Sequence, residues 1–191
     1  MKPIVTVLMT VYNGKNYLNE AIESVLCQTL TNYEFLIVDD ASTDNSIEII
    51  NSYKDSRIKL LKNRENIGQT ASLNEGLAIA QGQYIARFDQ DDVCLPKRLE
   101  DQVTFFKKNP SISIVCSREY SIDEQGKRIG VWKRDLNNYG AFLGYIILGL
   151  NPVWTPSVMF TKDVFLQLGG FDVAYGPASD FEFWSRIALK R

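Results

Sequence analysis

The strongest constraint on this chain is a repeated alternation, through residue 118, of short β-branched apolar runs with segments whose apolar residues recur at helical spacing. Ile4–Thr10 is followed by Leu18, Ile22, Val25 and Leu26. Phe35–Val38 is followed by Ile47, Ile49 and Ile50, behind the capping cluster Ser42-Thr43-Asp44-Asn45. Ile58–Leu61 predicts a third strand, Ala71–Ala80 a helix carrying Leu73, Leu77 and Ala80, and Tyr84–Phe88 a fourth strand. Lys97–Lys108 predicts a helix opened by Pro96, where a helix tolerates proline, and Ile112–Cys116 a further strand. Strands alternating with helices across short loops demand a mostly parallel sheet covered on both faces and joined by right-handed crossovers. The fold class is therefore three-layer α/β/α, and ligands of such sheets bind beyond the carboxyl ends of the strands.

From Glu119 the regularity fades. Asp123-Glu124-Gln125-Gly126 predicts a turn between strands, a polar stretch runs through Asn138, and the apolar Phe142–Leu150 follows. With 45% hydrophobic residues among 191, the chain has material for one substantial core, and residues 1–191 are expected to form a single domain. The last helical segment reaches Lys190-Arg191 without a stop signal, which implies truncation at the C-terminus. Ala141–Leu150 is about half the ~20 residues needed to span a bilayer and contains two glycines, so it predicts a buried helix. Nothing before the first apolar run resembles a secretory signal, and the start reads as mature and cytosolic.

Composition then narrows the chemistry. Lys and Arg total 21 against 23 Asp and Glu, with no basic stripe, which argues against a nucleic-acid partner. Cys27, Cys94 and Cys116 are far apart and odd in number, suiting a reducing compartment. The chain has no histidine, so acid–base work must fall to carboxylates.

Carboxylates stand at the carboxyl ends of two predicted parallel strands, Asp39-Asp40 after the second and Asp89-Gln90-Asp91-Asp92 after the fourth. Three acids within four residues repel one another, and a hard divalent cation, Mn²⁺ or Mg²⁺, compensates that repulsion with oxygen ligands. The competing interpretation is an acidic turn that caps the next helix, a common use of aspartate.

The segments Val7-Leu8-Met9-Thr10-Val11-Tyr12-Asn13, Val38-Asp39-Asp40-Ala41-Ser42-Thr43-Asp44 and Asp89-Gln90-Asp91-Asp92, in this order, resemble the family 2 glycosyltransferases. The likeness extends to Asn66-Ile67-Gly68, Asn74, Gly82-Gln83-Tyr84-Ile85, Pro156-Ser157, Gly169-Gly170-Phe171-Asp172 and Ser179-Asp180-Phe181-Glu182-Phe183-Trp184. It implies a GT-A fold and inversion at the anomeric carbon. The donor implied is a nucleotide sugar, UDP-linked by the reading of Tyr12 and Asp40. The acceptor implied is a hydroxyl of a glycan or a lipid-linked glycan, as in polysaccharide and cell-envelope biosynthesis. Residues 1–118 would form the nucleotide-binding half and 119–191 the acceptor-side half. A cytoplasmic enzyme, with peripheral contact at the inner face of the membrane, is the matching location.

By the same resemblance Thr10 and Tyr12 line the base pocket, Tyr12 stacking on a pyrimidine. Asp40 accepts from the base imide, with Asp39 as the alternative. Asn66 and Gly68 border the nucleotide, although Asn-x-Gly is also an ordinary turn. Asp89 serves the ribose and the metal, Asp91 reaches the metal that bridges the phosphates, and Asp92 supports them or caps a helix. Asp180 matches the general base. Ser179-x-x-Glu182 is also a capping-box pattern; acids two apart on a helix diverge by about 200°, so only one of Asp180 and Glu182 can serve the site. Phe181, Trp184 and Ala188 are expected on the packing side, and Glu182 is the fallback base. Trp154 is expected to stack on an acceptor sugar or to be core. Two other function classes compete. A sugar-phosphate nucleotidyltransferase would need a glycine-rich phosphate loop that Tyr12-Asn13-Gly14-Lys15 does not match, and a non-catalytic nucleotide-binding domain would need neither acid cluster nor base.

Overall fold

A computed structural model of the chain describes residues 2–132 and 138–189. The elements in chain order are β1 (Val5–Val11), α1 (Leu18–Leu26), β2 (Tyr33–Asp39), α2 (Ser46–Ser52), β3 (Ile58–Lys62), α3 (Gln69–Ile79), β4 (Tyr84–Asp89) and α4 (Arg98–Lys108). They continue as β5 (Ile114–Cys116), β6 (Glu119–Ile122), β7 (Arg128–Trp132), α5 (Tyr139–Ile147), β8 (Val158–Thr161), α6 (Lys162–Leu168) and α7 (Ser179–Leu189), with short 3₁₀ turns before β8 and α7. The sheet order is β3-β2-β1-β4-β8-β5. β1 to β4 are mutually parallel, and β8 enters antiparallel between β4 and β5.

Side chains alternate across this sheet and divide the core into two layers. Val5, Val7, Met9, Phe35, Ile37, Ala86 and Phe88 pack with α1, α2 and α4. Leu8, Leu36, Val38, Ile85, Val158 and Phe160 pack with α3, α6 and α7. The second layer is strongly aromatic, with Phe160, Phe165, Phe171, Phe183 and Trp184 in mutual contact. The predicted alternation thus becomes the three-layer, mostly parallel architecture, with short loops at the carboxyl rim of β1, β2 and β4.

Three local expectations are corrected. The apolar stretch Ala141–Leu150 is not a buried helix: no residue of α5 is fully buried, and Ile147 and Leu148 are 75% and 73% exposed. Only one side of α5, with Phe142 and Ile146, meets the second core, and Gly149 in a left-handed conformation (φ 70°) ends it. On α7 the inward residues are Ser179, Phe183, Trp184 and Ala188, while Phe181 is only partly buried. The strand expected over Ile112–Cys116 is shorter, because Ile112 closes a turn onto the Asn109 carbonyl. The turn at Asp123–Gly126 does join β6 to β7, with Gly126 at φ 76° and Asp123 Oδ1 accepting from the Gln125 and Lys127 amides. Among the described residues no helix is long and apolar enough to cross a membrane. The end of the last helical segment at Lys190-Arg191 lies outside the described residues.

Tyr33, at the start of β2, supplies a pH test of this core. Burial pushes its hydroxyl up to about 12, against the opposing pull of the Arg57 guanidinium over its ring. The protonated hydroxyl donates to the Val25 carbonyl at 2.8 Å. A raised folded value means stability that is complete below pH 10 and lost as pH climbs toward about 12. The urea midpoint of the wild type is expected to fall more steeply over that interval than the midpoint of Tyr33→Phe.

Candidate functional site

The loops at the carboxyl rim are latched together by side chains that sequence alone marks as turn formers. Asn13 adopts φ 52°, its amide donates to Ser42 Oγ, and its Oδ1 accepts from the Thr43 amide. Gly14 donates to Ser46 Oγ and Lys15 to Asp44 Oδ2. The cluster Ser42-Thr43-Asp44-Asn45 therefore does more than open α2: it clamps the loop after β1. From the other side, Gln90 holds the Tyr12 peptide by a reciprocal pair, accepting from its amide at 3.0 Å and donating to its carbonyl at 3.3 Å. A Cβ on Gly14 would collide with the Gln90 carboxamide, so glycine is what lets this residue of the acidic loop reach Tyr12. The Tyr12 ring is left 47% exposed on the clamped loop.

Asp40 follows β2 and is almost wholly buried. Its Oδ1 accepts from Asn63 Nδ2 at 2.9 Å and the Ile67 amide at 3.0 Å, and its Oδ2 from the Gly68 amide at 2.9 Å. Burial alone would raise this carboxyl, but the donors from Asn63, Ile67, Ser72 and Gly68 outweigh it and hold the group below the ordinary aspartate range. Donors from within the protein thus serve about as many acceptor directions as a carboxylate has. Asp39, on the opposite face of β2, is fully buried; its Oδ2 accepts from the Ser42 amide and its Oδ1 has no partner. Thr10 lies nearby on β1, with its buried hydroxyl also lacking a partner. The exposed Asn66 accepts from the Gly68 amide at 3.2 Å within its own turn, and Gly68 takes φ 87° at the start of α3.

The end of β4 carries the remaining acids. Asp89 Oδ1 pairs with Arg87 Nη1 at 2.5 Å and accepts from Gln69 Nε2 at 3.4 Å. Arg87 is 3% exposed, and its Nη1 also donates to the Phe88 carbonyl. Asp91 is exposed, and Asp92 is folded back toward the protein. Burial, reinforced by the charges of Asp89 and Asp91, pushes Asp92 up to about 6. Among the described residues no three metal-ligating side chains converge to hold an ion by themselves. Asp89 and Asp91 are hard oxygen donors of the kind Mg²⁺ takes one or two of, with other oxygens completing its shell.

Next to this rim is a cleft of about 510 Å³ whose lining includes Gly68, Gln69, Thr70, Arg87, Asp89, Thr155, Ser179 and Asp180. It brings Asp89, from the first half of the chain, onto the same cavity as Asp180, 91 positions later (180 minus 89). Asp180 lies in the first turn of α7, where Oδ1 accepts from the Phe181 amide at 2.6 Å and Oδ2 from Asn151 Nδ2 at 2.9 Å and from Thr155 Oγ1. The capping-box alternative does not form. The Ser179 hydroxyl meets Thr70 Oγ1 at 2.9 Å, and Glu182 grips Arg186 through two bonds of 2.5 and 2.7 Å. Arg186 in turn donates to the Leu168 and Gly170 carbonyls, so Glu182 is committed to fastening α7 to the glycine turn. Asn74 clamps the same turn, exchanging hydrogen bonds with both backbone groups of Phe171.

Of the expected site residues, Gly68, Asp89 and Asp180 line the cleft. Asp40 contacts the Gly68 amide behind it, and Thr10, Tyr12, Asn66, Asp91 and Trp154 are not among the lining residues. Trp154 is 47% exposed and sits next to the cleft residue Thr155. Sequence reasoning missed Arg87, Gln69, Asn151 and Thr155. Arg87 carried a signal, as the one charge in the apolar run Tyr84–Phe88; the other three are polar loop or cap residues with none.

Comparisons with known proteins bear on the family and the fold. The sequence model described as Glycosyl transferase family 2 matches residues 6–165. An uncharacterized glycosyltransferase of Methanocaldococcus jannaschii is 37% identical over 189 residues, covering 97% of this chain and 64% of the relative. One from Haemophilus influenzae is 32% identical over 197 residues, covering 97% and 60%. The chain thus spans less than two thirds of the length of these relatives. Among solved structures, S. aureus TarS 1–349 in complex with UDP superposes with a TM-score of 0.77 at 22% identity, covering 96% of this chain and 54% of that one. The mannosyltransferase PcManGT from Pyrobaculum calidifontis, in complex with GDP-Man and Mn²⁺, gives 0.72 at 20% identity, covering 96% and 51%. At such identity these likenesses speak for the fold, which is that of the GT-A transferases. Motif order, rim chemistry and the family match converge on one assignment: the chain belongs to glycosyl transferase family 2.

Proposed function

We propose that this chain transfers a sugar, with inversion, from a nucleoside-diphosphate donor, UDP-linked by preference, to a hydroxyl of a glycan or lipid-linked acceptor. The observation that carries the proposal is the placement of Asp89 and Asp180 on one cleft at the carboxyl rim of the sheet. TarS in its UDP complex and PcManGT with GDP-Man and Mn²⁺ are consistent with such a donor. Asp91 and Asp89 would hold Mn²⁺ or Mg²⁺ against the diphosphate, where the ion supplies charge neutralisation to the leaving group. Arg87 keeps Asp89 oriented and adds a fixed positive charge to the cleft wall. The exposed Tyr12 ring offers a stacking face for a base, and Asp40, the expected acceptor of the base imide, fixes the Gly68 amide at the cleft wall. In the transfer, Asp180 takes the proton of the acceptor hydroxyl while that oxygen bonds to the anomeric carbon. The carbon–oxygen bond to phosphate breaks on the opposite face, and its electron pair leaves with the nucleoside diphosphate.

Calorimetric titration of UDP, with GDP as comparator, tests the donor side. UDP is expected to bind more tightly with Mn²⁺ than without, and Asp91→Ala is expected to abolish that metal-dependent increment while leaving metal-free binding in place. Equal binding with and without Mn²⁺ in the wild type would remove the metal from the proposal. Failure of both nucleotides to bind would remove the donor pocket itself.

A further inference from the structure

Asp180 is held more firmly than a lone carboxylate in a first helical turn needs to be. We propose that Asn151 and Thr155 are positioning residues that fix Asp180 and reserve its Oδ1 as the proton-accepting atom, an inference that rests on the reading of Asp180 as general base. An ionised carboxylate offers about four acceptor directions, two on each oxygen. Oδ2 has both filled, by Asn151 Nδ2 at 2.9 Å and by the Thr155 hydroxyl, which can only donate to a carboxylate. Oδ1 accepts one bond, from the Phe181 amide at 2.6 Å, and keeps one direction open.

The two donors are themselves oriented by backbone. The Val153 amide donates to Asn151 Oδ1 at 3.3 Å, which fixes the carboxamide with its NH₂ toward Asp180. Thr155 opens the 3₁₀ turn that leads directly into β8. The neighbouring Ser157 seals that turn through its amide and hydroxyl, both donating to the Trp154 carbonyl at 3.0 and 2.8 Å. β8 is hydrogen-bonded to β4, the strand that delivers Arg87 and Asp89. Base and acidic rim are thus referenced to one rigid pair of strands, which is what holding a reacting hydroxyl between them requires. Thr155 also lines the cleft, so its hydroxyl is within the site and not behind it.

The test measures nucleoside diphosphate release from UDP-glucose, UDP-N-acetylglucosamine and GDP-mannose with Mn²⁺, water serving as acceptor. Thr155→Val, which keeps the shape and removes the hydroxyl, is expected to lower kcat by about ten- to a hundredfold with donor KM within about twofold of wild type. Asn151→Leu is expected to behave the same way, and Thr155→Ser to recover most of the lost kcat. A merely structural role would instead lower the thermal midpoint or raise donor KM and would not be rescued by serine. If Asp180→Asn stops turnover while Thr155→Val and Asn151→Leu leave kcat at the wild-type value, the positioning role is wrong and the base reading stands. If the unaltered chain releases no nucleotide from any donor, or Asp180→Asn turns over normally, the base reading fails and this inference fails with it.

Discussion

Replacing Asp180 by asparagine is expected to lower turnover by about a thousandfold while leaving UDP affinity unchanged, the size of effect a positioned general base supplies. The substitution keeps the volume of the side chain. Its amide oxygen can still accept from Asn151 and Thr155, but its NH₂ must then occupy the place of Oδ1, facing the Phe181 amide donor. The atom proposed to receive the proton becomes a donor. UDP affinity survives because the residues assigned to the base and the diphosphate, Tyr12, Asp40, Asp89 and Asp91, are untouched. Glu182→Gln is the control: it weakens the paired hydrogen bonds from Arg186 and loosens the end of α6, with a modest loss of stability and little effect on turnover. Single-turnover kinetics and calorimetry on the two variants separate the roles. Normal turnover by Asp180→Asn together with loss in Glu182→Gln would reverse the assignment.

The choice between these two acids shows where the sequence was legible and where it was not. Helical geometry correctly forbade both from serving one cleft. The capping box drawn from Ser179 and Glu182 did not form, because each had a better partner. For Glu182 that partner was readable, since Arg186 stands four positions on, the favourable order for a helical ion pair. For Ser179 it was not, because Thr70 comes from α3, 109 positions away. Asp40 follows the same logic. Its place at the end of β2 was plain, yet the donors that fill most of its acceptor directions come from the β3–α3 connection, which sequence spacing cannot bring near. The acidic loop was legible as charge crowding, whereas the rise of Asp92 to about 6 comes first from its burial, with the charges of Asp89 and Asp91 adding to it.

The fold was most legible where the period was cleanest. β1, β2 and β4 are buried on both faces, so their apolar runs were nearly continuous, and the helices between them showed their inward residues at regular spacing. The antiparallel entry of β8 between β4 and β5 was not legible, because a four-residue strand carries no mark of direction or neighbour. α5 misled for a related reason: hydrophobicity alone does not reveal that a helix meets the core along one side only.

Gly82→Ala is expected to cost more than about 3 kcal/mol, at the upper end of what overpacking does, because nothing around this glycine can give way cheaply. A Cβ there would lie within 2.6 Å of the Val5 carbonyl carbon and 2.8 Å of the Tyr84 oxygen, and closer still to the Thr6 amide nitrogen. All three are backbone atoms of β1 and β4, strands paired from Val5 with Tyr84 onward. No rotamer change relieves the contact; one strand must move. Movement also strains a buried polar network, in which the Gly82 amide donates to Thr6 Oγ1 while Thr6 Oγ1 and the Gln81 amide both donate to Glu34 Oε1. Donors left unpaired there add to the steric cost. Gly68→Ala is the contrasting case. Its φ of 87° and ψ of 155° disfavour a side chain, but nothing lies within 4 Å of the added Cβ, so the cost is the positive-φ backbone alone, about 1–3 kcal/mol. Urea unfolding of both variants measures the difference. Equal losses would mean that close approach at Gly82 contributes nothing beyond backbone conformation. A larger loss in Gly82→Ala would show that the tight contact between β1 and the start of β4 costs more than backbone conformation alone.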